Sequence, residues 1–163
     1  MGAHLGTAEQ FGWFLKLNWI MASRESGVTA REFSDALPRF EEVVQMVNAG
    51  LSHSYFGLLS SNFNLVALIG EACEKLGLHE QALTFAAEAA TNEDLNAGGT
   101  FLPTVKWRGY RTRGRCLSAM GKTVEAEAAF ELALSNIEGF GFFFLETLCV
   151  WDLKVLVLDK SGR

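Results

Sequence analysis

The second half of the chain carries small residues that recur after 44 residues. Aligning 70–91 with 114–135 matches two glycines and two alanines: Gly70 with Gly114, Gly77 with Gly121, Ala82 with Ala126, and Ala89 with Ala133. Two helices can lie close together only where the side chains between them are small. A glycine between two helices suits the left-handed conformation that ends many helices. The pattern therefore predicts two equivalent helical hairpins.

Capping and breaking signals divide the whole chain of 163 residues into helices. Thr29 and Glu32 form a capping-box pattern at one helix start, and Pro103 suits the first turn of another helix. No run of residues alternates strictly between apolar and polar, as a half-buried strand does. The sequence predicts one all-α domain, with helices at 7–23, 29–48, 52–76, 79–90, 103–120, 123–136 and 142–158. Pro38 either kinks the 29–48 helix or marks its true beginning. These helices form an N-terminal pair over 7–48, hairpins over 52–91 and 103–136, and an unpaired terminal helix over 142–158.

The residues around the matched positions resemble a known repeat. The second copy contains Tyr110, Arg113, Gly114, Leu117, Gly121, Ala126, Phe130 and Ala133. The first copy contains Val66, Ile69, Gly70, Cys73, Gly77, Ala82, Ala86 and Ala89. This spacing resembles the tetratricopeptide repeat over about 62–136. The resemblance implies antiparallel hairpins stacked as a short right-handed solenoid, whose first helices line a concave groove that binds proteins.

The formal charge of −5 and the three cysteines limit the classes of partner and compartment. A net acidic chain is unlike a typical nucleic-acid-binding domain. Cys73, Cys116 and Cys149 are odd in number and form no C-x-x-C pair, which argues against a disulfide framework and a structural zinc site. The apolar stretches 11–22 and 140–158 are too short or too interrupted by charge to span a bilayer. We expect a cytoplasmic protein that needs no cofactor or metal and binds neither nucleic acid nor membrane.

Five of the 14 basic residues fall within 106–115, and three of these share one helical face. Arg108, Arg111 and Arg115 follow the spacing i, i+3 and i+7, and the repeat resemblance implies that this face lines the groove. The neighbouring helices contribute the other groove candidates: Asn64, Glu71, Glu74 and Asp152. Guanidinium groups bind carboxylates bidentately, so the arginines predict a site for an acidic peptide. The alternative is that the arginines pair internally with the three acidic candidates.

No nucleophile, base and orienting group fall together in a recognised catalytic pattern. The histidines His4, His53 and His79 are scattered, with no carboxylate at metal-ligand spacing. We therefore expect a scaffold or adaptor rather than an enzyme, with a groove for a protein or peptide partner. Two alternatives stay open: a regulatory or sensor segment of a larger signalling protein, and a helical enzyme with an unrecognised site.

Two further features each have two interpretations. Cys116 lies near Arg113 and Arg115, which would lower its thiol pKa, whereas burial between helices would make the thiol inert. Four phenylalanines near the last helix form either part of the core or a docking surface: Phe140, Phe142, Phe143 and Phe144. Burial is the more common fate of both features. We therefore expect an inert cysteine and packed phenylalanines.

The terminal helix, from Phe142 to Leu158, is more apolar than one buried face requires. In the tetratricopeptide pattern a second, polar helix would follow and cover it, since an open solenoid end exposes core-type surface. We therefore predict that this helix meets another copy of the chain, another protein, or further sequence.

Overall fold

A computed structural model describes residues 27–38, 62–91, 102–160 and 162. These residues form helices joined by short turns, and the described ranges contain no strand. The named helices are α1 (Asn62–Lys75), α2 (His79–Thr91), α3 (Leu102–Ala119), α4 (Thr123–Ile137), α5 (Phe143–Asp152) and a π-helix (Leu153–Leu158). The predicted all-α class is confirmed. The expected helix at 7–23, and the parts of the expected helices at 39–48 and 52–61, lie outside the described residues.

The capping box predicted from Thr29 and Glu32 is present at the start of a helix over 30–38. The backbone N–H of Thr29 donates to Glu32 Oε2 at 3.0 Å, and the N–H of Glu32 donates to Thr29 Oγ1 at 3.1 Å. Each side chain thus satisfies a backbone donor that the first helical turn leaves unpaired. Phe33, Ala36 and Leu37 on this helix are buried against the core.

Consecutive helices pack against one another in an antiparallel-like sequence, and α3 also contacts α1. Two clusters of buried side chains result. One joins the 30–38 helix, α1 and α2 to Val105 and Cys116 of α3. The other joins α4, α5 and the π-helix to Trp107 and Leu117 of α3. The helix α3 therefore packs on both cores and is the central element of the described fold.

The α1–α2 and α3–α4 turns have the same geometry. In the first turn the N–H of Leu78 donates to the carbonyl of Cys73 at 2.8 Å, and the equivalent bond 44 residues later measures 2.9 Å. Gly77 and Gly121 occupy the same position in the two turns, with φ angles of +81° and +80°. This is the pattern in which a left-handed glycine and a bond spanning five residues terminate a helix. The turns form where the sequence predicted them.

Small residues lie where the helices approach most closely. A Cβ added to Gly70 would lie 3.3 Å from the Cβ of Phe85, and one added to Gly114 would lie 2.8 Å from the ring of Phe130. A third close approach, not singled out by the sequence, occurs at Gly109. A Cβ there would lie 2.7 Å from the carbonyl oxygen of Ala86, so this glycine brings α3 against the backbone of α2.

The terminal helix differs from the single α-helix expected over 142–158. It is α-helical from Phe143 to Asp152 and continues as a π-helix from Leu153 to Leu158. In a π-helix, backbone bonds join residues five apart. Asp152 and Val157, which are five apart, are both buried. The Ser118 hydroxyl of α3 donates to the Leu156 carbonyl at 2.8 Å and fastens this segment to α3.

Candidate functional site

The polar face of α3 is bonded to α1 through a bidentate ion pair. Arg108 donates from Nε to Glu71 Oε1 and from Nη2 to Glu71 Oε2, both at 2.8 Å. Burial alone would lower the pKa of the Arg108 guanidinium, but the hydrogen bonds and the negative charge of Glu71 outweigh it and raise that pKa above its ordinary value. Paired hydrogen bonds of this kind fix orientation as well as charge. They set the position of α3 along α1.

The same face of α3 is bonded to the terminal helix through Asp152. Arg111 Nε donates to Asp152 Oδ2 at 2.6 Å, and Arg115 Nη1 donates to Asp152 Oδ1 at 2.9 Å. Asp152 is only 5% exposed, so both carboxylate oxygens find partners inside the protein. Arg115 also donates from Nε to Glu74 Oε1 at 3.2 Å. It therefore links α1 to the terminal helix across α3.

Six of the seven predicted site residues thus form ion pairs on this face, in two separate sets. Arg108 pairs with Glu71, while Asp152 and Arg115 link Arg111 to Glu74. We call the set Arg108, Arg111, Arg115, Glu71, Glu74 and Asp152 the arginine network. The seventh candidate, Asn64, lies in α1, and its side chain is outside the described part of the structure. Three positive and three negative side chains leave the network with no net formal charge. The ion pairs are those that the internal-pairing alternative predicts.

An aromatic residue that the sequence did not single out supports the network. The Arg111 guanidinium carbon lies 5.6 Å from the centre of the Trp107 ring, within the range of a cation–π contact. Trp107 is buried, and its Nε1 has no hydrogen-bond partner among the described residues. Its position four residues before Arg111 places both side chains on one side of α3. That spacing is the sequence feature from which the contact between Trp107 and Arg111 could have been predicted.

The second surface feature is the outer side of α5, which is strongly apolar. Phe143 is 75% exposed and Trp151 is 63% exposed, with Phe144 and Val150 exposed beside them. The expectation that the phenylalanine cluster packs into the core is wrong for Phe140, Phe143 and Phe144, which are exposed.

The helical register of the terminal segment explains this exposure. Phe142, Leu145, Cys149 and Asp152 follow a spacing of three and four residues, and all four are buried or half-buried. This stripe faces the core. Phe143 and Phe144 lie next to the stripe in sequence and therefore project from the other side of the helix.

An open groove of about 340 Å³ runs between α4 and α5. Its lining residues are Glu131, Leu134, Ser135, Glu138, Glu146 and Val150. A second depression of about 340 Å³ shares Glu146 and Val150 with it and is completed by Thr147, Trp151 and Lys154. We call the two together the α4–α5 groove. The groove has an apolar floor and carboxylates along its edge.

The cysteines are buried rather than reactive. Burial raises the thiol pKa of Cys73, Cys116 and Cys149 to about 12 in each case. The interpretation of Cys116 as an activated thiol is therefore wrong. Arg115 lowers the Cys116 pKa, but desolvation and the charge of Glu74 act in the opposite direction and are larger.

No group of histidine, cysteine or acidic residues in 27–38, 62–91 or 102–160 is arranged to hold a metal ion. Within the same ranges, no helix has the length and apolar character needed to cross a bilayer. Comparison with models of known protein families, with curated proteins and with solved structures gives no match.

Proposed function

We propose that this chain is a protein-interaction module that acts as a scaffold or adaptor. The observation that carries the proposal is the apolar outer side of α5, where Phe143, Phe144 and Trp151 are exposed together. Contiguous exposed apolar surface is characteristic of protein-binding sites. Aromatic side chains also contribute a large share of the binding energy at such sites. A partner that covered α5 would bury these rings.

The helical hairpins support the same proposal. We infer that α1–α2 and α3–α4 are two copies of a tetratricopeptide-like repeat, stacked as a short solenoid. The equivalent turns at Gly77 and Gly121 support this inference, as do Ala82 and Ala126, both fully buried at equivalent positions. Solenoids of this kind present extended surfaces to partners without a cofactor.

The arginine network lies on the inner side of the terminal helix, opposite the exposed apolar side chains. Asp152 accepts from Arg111 and Arg115 on the inner side of the terminal helix, while Trp151, its neighbour in sequence, projects outward. The ion pairs hold the C-terminal end of α5, at Asp152, to α3. A rigid backbone lowers the ordering entropy that a partner must overcome on binding. In this proposal the network positions the surface and the apolar side chains contact the partner.

Partner capture with matched variants tests the proposal. The wild-type chain, a Phe143→Ser/Trp151→Ser variant and a Val124→Ser control are compared in cell extract after circular dichroism confirms equal helicity. Val124 is exposed on α4 and lines neither part of the α4–α5 groove. We expect the wild-type chain and the control to retain the same proteins and the double variant to lose them. Identical retention by all three would overturn the proposal.

An acidic peptide bound at the arginines is a second candidate function. Arg111 donates only from Nε among the described contacts, and its side chain is 23% exposed. Its two Nη nitrogens therefore have no hydrogen-bond partner within the described residues and are available to a carboxylate. A fluorescent Glu-rich peptide should then bind less tightly as salt rises. Arg111→Gln should weaken binding more than Arg113→Gln, and equal losses would indicate unspecific charge attraction.

A further inference from the structure

The α4–α5 groove is lined by apolar side chains, with carboxylates on both sides of them. Leu134 of α4 and Val150 of α5 provide the floor, with Trp151 exposed beside it. Glu131 and Glu138 lie along the α4 side, and Glu146 lies along the α5 side. Glu131 and Glu138 are exposed and Glu146 is half-buried. None of the three carboxylates forms an ion pair with a described residue.

The region around the groove is strongly acidic. From 123 to 153 the sequence contains six acidic residues and no lysine or arginine. One of the six, Asp152, is neutralised internally by Arg111 and Arg115. The only basic side chain that lines the groove is Lys154, at the far end of its second part. The part of the groove between α4 and α5, with Glu131, Glu138 and Glu146 in its lining, is thus negatively charged.

The groove extends along the terminal helix. Its lining residues there are Glu146, Thr147, Val150 and Trp151 of α5 and Lys154 of the π-helix. These positions extend over about 12 Å of the terminal helix, at about 1.5 Å per residue, which is the length of about two turns of a ligand helix. A ligand helix would place apolar residues at i, i+3 or i+4, and i+7 on the floor. Its flanking residues would then face the carboxylates.

A second copy of this chain is a poor occupant of the groove. In a two-fold dimer through this face, each copy offers the same surface to the other. Glu131, Glu138 and Glu146 of both copies would then face one another, and like charges across an interface are repulsive. The partner that complements the groove has the opposite charge.

We propose that the α4–α5 groove binds an amphipathic helix of a partner protein that is apolar on one face and rich in lysine or arginine beside it. This proposal rests on the proposed function, because it assigns the partner class for the same interaction surface. The apolar face covers Leu134, Val150 and Trp151. The basic residues pair with Glu131, Glu138 and Glu146.

Two synthetic peptides test the charge requirement. Both carry leucine at i, i+3, i+4 and i+7, and the remaining positions are lysine in one peptide and glutamate in the other. Fluorescence anisotropy should show the lysine peptide binding at least about tenfold more tightly, with an affinity that falls as salt rises. Methyl NMR should show the lysine peptide shifting the signals of Leu134 and Val150. Equal affinities, or no binding of either peptide, would overturn the proposal.

Substitutions locate the site. Glu131→Gln and Glu138→Gln should each weaken binding of the lysine peptide about threefold, and Val150→Ser should weaken it about tenfold. Glu125→Gln is the matched control, because Glu125 is an exposed carboxylate of α4 that lines neither part of the groove. A loss for Glu125→Gln equal to that for Glu138→Gln would mean unspecific attraction and would contradict the assignment.

The same variants separate this proposal from the proposed function. If capture of cellular partners depends on Phe143 and Trp151 but the lysine peptide does not bind, the interaction module stands and the basic-helix assignment fails. Sedimentation of the purified chain tests whether a second copy of the chain occupies the groove instead. A dimer that Trp151→Ser dissociates would make a second copy the occupant and would overturn the proposal.

Discussion

The hairpins α1–α2 and α3–α4 share a turn but differ in what fills the space between their helices. Both close with a left-handed glycine, at Gly77 and Gly121. In the first hairpin, Gly70 faces the Cβ of Phe85 and the backbone of Ala86; in the second, Gly114 faces the ring of Phe130. Ala86 and Phe130 occupy equivalent positions. The path of the backbone and the tightness of packing are therefore set by different residues.

The hairpins also differ in how they are held by their surroundings. In the described part of the chain, the ion pairs of Glu71 and Glu74 on α1 go only to α3. The arginines of α3 reach both α1 and the terminal helix. The second hairpin is therefore bonded on two sides. Loss of Asp152, which binds two arginines of α3, should therefore cost more stability than loss of Glu71 on α1, which binds one.

The largest expected effect is at Asp152. Asp152→Ala leaves Arg111 without a carboxylate and Arg115 with Glu74 alone. Removing one partner of a buried pair costs about 3 kcal/mol of unfolding free energy. Glu71→Ala breaks a single bidentate pair that is half-buried, and should cost about 1.5–2 kcal/mol. Urea denaturation of both variants measures the difference, and equal losses would contradict the ranking of the two sides of α3.

The next largest effect is a difference in stability between alanine substitutions inside the two hairpins, at Gly70 and at Gly114. Replacing a helical glycine by alanine gains about 1 kcal/mol of helix propensity. At Gly70 the new Cβ makes only tight contact, so Gly70→Ala should change stability by less than about 1 kcal/mol. At Gly114 the Cβ meets the fully buried Phe130 ring, so overpacking of about 2–3 kcal/mol should outweigh the gain. Equal melting temperatures for the two variants would show that the ring moves aside freely.

Alkaline pH tests burial in both hairpins at once. Cys73 lies in the first hairpin and Cys116 in the second, and both have a folded-state pKa of about 12. An unfolded cysteine titrates near about 8.5. Above that pH the unfolded chain loses its thiol protons first, so the free energy of unfolding falls by up to about 1.4 kcal/mol per pH unit for each thiol.

Variants that each lack one cysteine show how much of the loss of unfolding free energy at alkaline pH comes from each thiol. Cys73→Ala and Cys116→Ala should each remove the same share of the stability loss between about pH 9 and 10. Denaturant melts at several pH values measure the slopes. If one variant left the slope unchanged, that cysteine would be accessible to solvent and its hairpin would be less tightly packed than described.

The smallest expected effect is the loss of stability when the left-handed turn glycine of either hairpin is replaced by alanine. An L-residue in the left-handed conformation costs about 1 kcal/mol. Gly77→Ala and Gly121→Ala should therefore lower the unfolding free energy by similar amounts, since nothing lies within 4 Å of the added Cβ at either position. Thermal melts compare the two directly. A clear difference between them would mean that the two turns are not equivalent.

Much of the fold could be predicted because its signals are local. The starts predicted at His79 and Thr123 are confirmed, since a glycine shortly before each ends the preceding helix. The charge pairing could be anticipated from Arg108, Arg111 and Arg115, because helical spacing places them on one face. Asp152 was one of three acidic residues predicted as alternative internal partners, and it pairs with Arg111 and Arg115.

Other features depend on information that side-chain spacing does not contain. The exposure of Phe143 and Phe144 depends on which stripe of α5 faces the core, and an all-apolar helix does not reveal this. Gly109 contacts α2, outside the hairpin to which the small-residue pattern applies. The π-helix is a change of backbone hydrogen bonding. A run such as 153–158, with apolar residues on most sides, accommodates either bonding pattern.

The π-helix means that the terminal helix contains one residue more than its buried positions require. In an α-helix each residue turns the chain by about 100°, so positions five apart, such as Asp152 and Val157, would point to different sides. Positions four apart would share a side. Deleting one residue between them would restore α-helical bonding with both ends still inside. The extra residue therefore keeps Asp152 and Val157 both buried although five positions separate them.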